Sequence, residues 1–303
     1  MQDYPASMQT VAVVANPTKL DDVDAVRSAL GRIAADHGQQ FVWLQTTVED
    51  PGHGQTREAV RQGAQLVCAL GGDGTVRAVA HALLGSDAAL GLLPGGTGNL
   101  LALNLSVPTG SLEEAFTAAL ESGERSIDVG WIQLDDEPED VFLVMSGMGF
   151  DAETMDAVSE VTKARIGWLA YGVAGLQRLT AKGLHVAISD GSQSWRQHAR
   201  SVMVGNCGSV QGGVLLMPDA RVDDDLLDLL VFAPRGLFGW TAALFKIVTR
   251  NRRGHPSVRQ RAARRFTVTS KRPALVQIDG DAVGSHRRMA FRVDPGVLRV
   301  RAG

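Results

Sequence analysis

The run Leu70-Gly71-Gly72-Asp73-Gly74-Thr75, answered one strand later by Leu93-Pro94-Gly95-Gly96-Thr97-Gly98-Asn99, decides how this chain is read. Each closes an apolar stretch in a glycine-rich turn. Residues 65–70 (QLVCAL) read as a buried strand, and Val76, Val79, Ala80, Leu83 and Leu84 follow at helical spacing. Asp73 and Thr75 therefore fall between a strand and a helix N-terminus. There the unpaired N–H groups and the positive end of the helix dipole favour an anion, and glycines let the backbone come close to it. Gly71, Gly72 and Gly74 leave Asp73 and Thr75 as the side chains of the first turn: a carboxylate for a hard cation and a hydroxyl for a phosphate oxygen. In the second turn Pro94 stops the strand, Gly95 and Gly96 bare the backbone, and Thr97 and Asn99 offer hydrogen bonds where a helix over 100–105 begins. Gly, Asp, Thr and Asn are also ordinary turn and cap residues, so either turn alone reads as a plain connection; the pair points to a phosphate site.

Around these turns strand and helix alternate: strands at 11–15 and 40–44, helices at 22–37, 57–63 and 112–122, and the two units just described. Such alternation predicts a mostly parallel sheet with helices on its faces, and ligands in open sheets of this kind sit at the carboxyl ends of the strands, where Asn16, Asp73 and Thr97 fall. From about residue 128 the pattern turns strand-rich, in eight apolar runs from VFLVMS (141–146) to VLRVR (297–301), with helical inserts near 163–182 and 237–248. This reads as a β-sandwich-like second domain. No internal repeat or low-complexity linker separates the two.

At 303 residues, 45% hydrophobic and 21% charged, the chain is long enough for two domains with real cores. A formal net charge of −3 argues against a general nucleic-acid binder, and the two cysteines, Cys68 and Cys207, sit in apolar runs at no metal-ligand spacing. They read as buried thiols in a reducing compartment. No apolar run reaches the roughly eighteen residues of a membrane span, and the first ten residues lack the pattern of a signal peptide, so the expected location is the cytoplasm.

GGDGT followed by P-x-G-T-x-N resembles the signature of the diacylglycerol kinase catalytic domain, shared by bacterial soluble lipid kinases, sphingosine kinases and ceramide kinases. The likeness continues through Asn16-Pro17, Ile127-Asp128-Val129-Gly130, Gly147-Met148-Gly149-Phe150-Asp151, Tyr171, Gly212-Gly213 with Pro218, the run Asp223 to Asp228, and Asp279-Gly280-Asp281. GGDGT by itself is also carried by the related NAD kinases; the second turn favours the lipid kinase branch. The resemblance implies an α/β nucleotide-binding domain over residues 1–129, completed by a C-terminal strand at about 290–303, a β-rich lipid domain over 130–289, and an active site in the cleft between them. It implies ATP with Mg2+ as the phosphoryl donor and a lipid such as diacylglycerol as the acceptor. Asn16, the glycines of both turns, Thr75, Thr97 and Asn99 would hold the nucleotide, and Asp128 would join the metal and water network of Asp73.

Two acidic features lie in the second half. Asp223, Asp224, Asp225 and Asp228 place four carboxylates within six residues, a repulsion that a bound cation would relieve. The family's comparable loop is similar to one that holds a structural Mg2+ ion, for which Asp223, Asp225 and Asp228 are the candidates here; the plain alternative is a solvated acidic turn. Ile278-Asp279-Gly280-Asp281 reads as a hairpin turn. In the family the motif is D-G-E, and its glutamate is implied to be the general base that takes the proton from the lipid hydroxyl. This chain has Asp281, which withdraws the carboxylate by about 1.5 Å, one C–C bond. The chain also lacks the glycine that many relatives carry after Asn16-Pro17, and has Leu100 where many have an aspartate.

Between Leu229 and Ile278 there is no acidic residue, whereas arginines and lysines recur, Lys246, Arg250, Arg252 and Arg253 beside Phe238, Trp240, Leu244, Phe245 and Ile247. That composition suits a helix lying on an anionic membrane surface, or an ordinary amphipathic helix with solvated cations. The reading that results is an ATP-dependent lipid kinase, peripheral at the inner face of the membrane, with a homodimer compatible and nucleic acid excluded as a partner. The alternatives are an NAD kinase-like phosphotransferase and a catalytically inactive relative that binds nucleotide or membrane.

Overall fold

The computed structural model describes residues 9–96, 98–149, 183–210, 214–233 and 258–302. The chain forms two compact units, one running to Ile127 and including the residues from Gly296 onward, the other spanning Asp128–Pro295.

In the first unit β1 (Thr10–Ala15), α1 (Val23–Asp36), β2 (Gln40–Gln45), α2 (His53–Arg61), β3 (Ala64–Gly71), α3 (Asp73–Leu83), β4 (Ala89–Pro94), α4 (Leu100–Asn104) and α5 (Leu112–Glu121) follow in order. β2, β1, β3 and β4 lie side by side, all parallel. β1 is buried throughout and β3 at all but one residue, so their continuous apolar sequence reflects cover on both faces. Local chemistry sets the helix ends. Asp22 caps α1 by accepting from Ala25 N–H at 2.9 Å, and Ser111 caps α5 by accepting from Glu114 N–H at 3.2 Å. α2 starts four residues before the expected 57, because the Asp50 carboxylate accepts the N–H groups of Gly52 and Gly54 and Gly52 turns the chain at φ 145°. The polar run His53 to Thr56 hides this turn from a periodicity reading.

The second unit is antiparallel. β5 (Glu124–Leu134) enters it, followed by β6 (Asp140–Phe142), β7 (Met145–Met148), β8 (Leu184–Ser189), β9 (Ser194–Ala199), β10 (Ser201–Gly205), the short pair β11 (Ser209–Val210) and β12 (Val214–Leu215), then β13 (Leu227–Phe232), β14 (Val258–Ala263), β15 (Arg265–Ile278) and β16 (Asp281–Arg301). β10 lies between β13 and β7, and β14 flanks β13. β15 serves both halves of the sandwich: Thr267–Ser270 pair with β8, and Val276–Ile278 pair with β7. Between them the register shifts at 269–274, where Pro273 lacks an N–H for the ladder. Phe142, Met148, Val202, Leu229, Phe266 and Met289 meet in the core enclosed this way. β16 passes back into the first unit, where Val300 lies beside Leu90 of β4 in parallel. An α/β domain of parallel strands followed by a β-sandwich-like domain is thus what the chain forms. Cys68 and Cys207 are buried thiols outside any disulfide, and burial pushes the Cys68 thiol up to about 12.

Candidate active site

In the first unit the order β2-β1-β3-β4 reverses direction between β1 and β3, and a reversal of this kind opens a crevice at the carboxyl ends of those two strands. Asn16 ends β1 and Gly71 ends β3. α3 starts at Asp73 itself, directly after the strand, so the carboxylate stands in the first helical turn and the Gly72 cap puts no side chain over it. The second glycine turn folds onto the first. Asp73 Oδ1 accepts the Leu100 N–H at 2.7 Å, Gly95 N–H donates to Gly71 O at 3.1 Å, and Asn99 closes its own turn by accepting from Gly96 N–H and donating to Gly96 O. Asn99 takes the left-handed conformation, φ 47°, to do so.

The glycines are required by proximity. A Cβ on Gly96 would stand 2.6 Å from Gly72 Cα, and one on Gly98 would collide with Asp73 Oδ2. What the two turns enclose is a small concavity lined by Gly71, Asp73, Leu92, Pro94, Asn99 and Leu101. It lies at the start of an eleven-residue helix whose cap residue makes no side-chain bond, next to a carboxylate, which suits a phosphate and its metal counter-ion.

The structure revises several roles read from the sequence. Of the glycine N–H groups expected on phosphate, that of Gly95 is spent on joining the two turns and that of Gly96 on closing the second. Thr75 is 5% exposed, and its hydroxyl packs against Gly71, so it fills the space under the turn. Asn16 turns its amide oxygen onto Thr18, accepting from the backbone N–H at 3.1 Å and the hydroxyl at 2.8 Å, and so caps the short helical turn Pro17–Lys19. Thr46, which the sequence reading missed, is buried at the end of β2, its N–H held by Ala15 O on the same strand-end row. A threonine closing an edge strand carries no local signal; parallel pairing with β1 is what places it there. Thr97 lies outside the described residues.

In the second unit Asp128 is 1% exposed and belongs with the acidic loop: its Oδ2 accepts the Asp225 N–H at 2.8 Å, and its own N–H donates to Val222 O. Asp223, Asp225 and Asp228 do not converge. Asp223 pairs with Arg221 at 3.3 Å, Asp225 with Arg264 at 3.0 Å, and Asp228 accepts from Gln260 at 2.8 Å; among the described residues no three acidic, histidine or cysteine side chains form a metal-holding group. Arginines thus pair with Asp223 and Asp225, two of the four carboxylates for which the sequence reading called on a cation. Asp224, named in the acidic run but not among the candidate ligands, has its carboxyl held above its ordinary value by burial and then by the neighbouring charges of Asp128 and Asp223. Asp228 is raised for the same reasons, burial first, then Asp224 and Asp219.

Asp281 opens β16 and is exposed. It faces Ile278 across a two-residue turn whose members, Asp279 and Gly280, both have positive φ, 49° and 94°, as a primed hairpin turn requires. Of the acid-free stretch, residues 234–257 lie outside the described residues, as do Tyr171, Gly212 and Gly213. Within the described part Arg261 pairs with Asp190 at 2.8 Å and stacks over Trp195, and Arg264 pairs with Asp225.

Residues 10–132 match the diacylglycerol kinase catalytic domain, and residues 144–302 match the YegS C-terminal NAD kinase beta sandwich-like domain. The chain belongs to the family of lipid kinases that joins these two domains. It is 34% identical over 250 residues, 80% of each chain, to a protein of Cronobacter sakazakii named "Probable lipid kinase YegS-like". It is also 29% identical to "Probable lipid kinase YegS" of Salmonella typhimurium, over 99% of this chain and 97% of that one. Among solved structures its fold is shared with a diacylglycerol kinase from Bacillus anthracis, with a TM-score of 0.76, 20% identity and 98% of each chain covered. More distantly, it is shared with an NAD kinase from Archaeoglobus fulgidus in complex with ATP, with a TM-score of 0.52, 15% identity, and 97% and 93% covered.

Proposed function

We propose that this kinase transfers the γ-phosphoryl group of ATP to the hydroxyl of a lipid, with diacylglycerol as the leading acceptor. The observation that carries the reading is the pair of glycine turns joined through Asp73, which sets a carboxylate beside the open first turn of α3. Phosphoryl transfer passes through a loose transition state, so the protein aligns the groups and balances charge rather than forming bonds of its own. Magnesium, when bound, would offset the charge that develops on the phosphate oxygens. Asp73 is the group to hold it, the first-turn N–H groups of α3 hold phosphate, and Asp281 accepts the proton of the attacking hydroxyl.

Among the described residues no helix is long and apolar enough to cross a membrane. We place the protein at an anionic membrane surface, reached through the cations and aromatic residues between Leu229 and Ile278. A second reading, phosphorylation of NAD, draws on the β-sandwich match and the fold shared with the Archaeoglobus enzyme. Radiolabelled ATP offered in parallel with diacylglycerol in mixed micelles and with NAD separates the two. Label in the lipid phase supports the first reading, and label in NAD alone refutes it.

A further inference from the structure

The acidic residue of the hairpin turn that precedes Asp281 is buried and fully bonded. Asp279 is 2% exposed, and its carboxylate accepts three consecutive backbone N–H groups: Leu143 on Oδ2 at 2.9 Å, and Val144 and Met145 on Oδ1 at 2.9 and 3.0 Å. The Asp279 N–H donates to Met145 O at 2.9 Å, so backbone and side chain grip the same bend between β6 and β7. Two further bonds tie the turn down: Ser146 Oγ donates to Gln277 O at 2.7 Å, and Gly280 N–H donates to Gln277 Oε1 at 2.6 Å. The gripped bend is itself anchored, since Asn206 N–H donates to Val144 O, and Asn206 Nδ2 donates to Leu143 O and to Asp128 O.

A primed two-residue turn ordinarily favours Asn before Gly, because Asn tolerates positive φ best. Here the position is filled by an acceptor-only group, and the reason lies in the donor count. Three N–H groups converge on two oxygens, and an amide in place of the carboxylate must aim its own NH2 at one of them. Asp281 projects from the other end of the same turn, two residues on, and is exposed.

We propose that Asp279 is the positioning residue for Asp281: by clamping the turn to the 143–145 bend, it sets where the proton-accepting carboxylate stands. The proposal rests on the reading of Asp281 as general base. A shorter acid in that role makes placement count for more, since a displacement of about 1 Å at a reacting group costs on the order of a hundredfold in rate.

The test is a double-mutant cycle on the full chain, with ATP and diacylglycerol micelles: parent, D279N, D281N and D279N/D281N, with kcat, the KM for ATP and the melting temperature measured for each. D281N should lose about two to four powers of ten in kcat. D279N should lose about ten- to a hundredfold in kcat while the KM for ATP stays at the parent value. In the D281N background the second change should cost nothing further, because Asp279 acts only through Asp281. If D281N turns over at the parent rate, the base reading fails and the positioning role falls with it. If D281N is crippled but D279N is not, or if D279N costs as much in the D281N background as in the parent, the base stands and the positioning role is refuted. Should D279N not fold, D279G replaces it in the cycle; glycine suits the positive φ of this turn and removes the clamp without aiming an NH2 at the bend. A tenfold or larger loss that vanishes on D281N supports the proposal, and parent-level kcat in D279G overturns it.

Discussion

Asp73 does two things at once, and they can be separated. Its Oδ1 accepts the Leu100 N–H at 2.7 Å, which joins the two glycine turns, and its charge stands at the start of α3, where a metal-nucleotide complex would need it. Asp73→Asn keeps an oxygen for Leu100 and removes the charge. The bond changes from charge-assisted to neutral, a loss of about 1 kcal/mol, and the interaction with the helix dipole, about 0.3–1 kcal/mol, goes with it. At roughly 2–4 °C per kcal/mol for a domain of this size, melting should fall by a few degrees. Asp73→Ala strands the partly buried Leu100 N–H, at about 1–3 kcal/mol, and should melt lower still. Turnover follows a different order: both variants should lose at least about two powers of ten, because both lack the charge. The assays are differential scanning fluorimetry and phosphoryl transfer measured on the same preparations. Near-parent turnover in Asp73→Asn would refute the metal-nucleotide role and leave Asp73 as a structural link between turns.

Gly96→Ala should weaken ATP binding and lower the melting temperature together, because its Cβ would meet Gly72 Cα at 2.6 Å and force the turns apart; equilibrium dialysis with ATP checks it. Sedimentation with phosphatidylglycerol vesicles should fall steeply with salt, each near-surface cation being worth about 1 kcal/mol and screened within about 10 Å at 0.1 M, and equal partition to neutral vesicles would exclude anionic docking. Asp228 is raised in the folded state, so its ionised form opposes folding above that value; Asp228→Asn should raise the melting temperature near neutral pH, with the gain gone below about pH 4. His37 is raised by its bond to Ile33 O and by Glu121 at 3.2 Å, so its stabilisation is complete below about pH 6.5 and is lost as pH rises through the folded value. Glu121→Gln should therefore lower stability near pH 5.5 and leave it unchanged near pH 8.5, as thermal melts at the two values would show.

Elements whose signal is local were legible. The parallel strands β1, β3 and β4 are apolar apart from Thr10 and Gln65, the glycine turns mark where β3 and β4 stop, and Asp22 and Ser111 announce the helices they cap. The polar edge strands were not. β9, SWRQHA, and β14, VRQRAA, alternate without a strong apolar face and are strands because β8 and β13 offer them open edges. β15 and β16 each read as two strands, because Pro273 and Pro295-Gly296 look like breaks; β15 takes up its pairing again at Ala274, and β16 pairs with β15 before its break and with β4 after it.

The site divides in the same way. By itself the sequence determined which turns are bare enough for phosphate, which acids could serve, and the family, since each depends on residue type and short spacing. Only the tertiary structure decided which partner each acid takes. Asp73 reaches Leu100, Asp128 reaches Asp225, Asp223 and Asp225 go to arginines, and Asp279 grips Leu143 to Met145. Most of these bonds join residues far apart in the chain, and a buried carboxylate takes whichever donors the packed backbone brings within about 3 Å. That choice is made by strand pairing, and no spacing along the sequence encodes it.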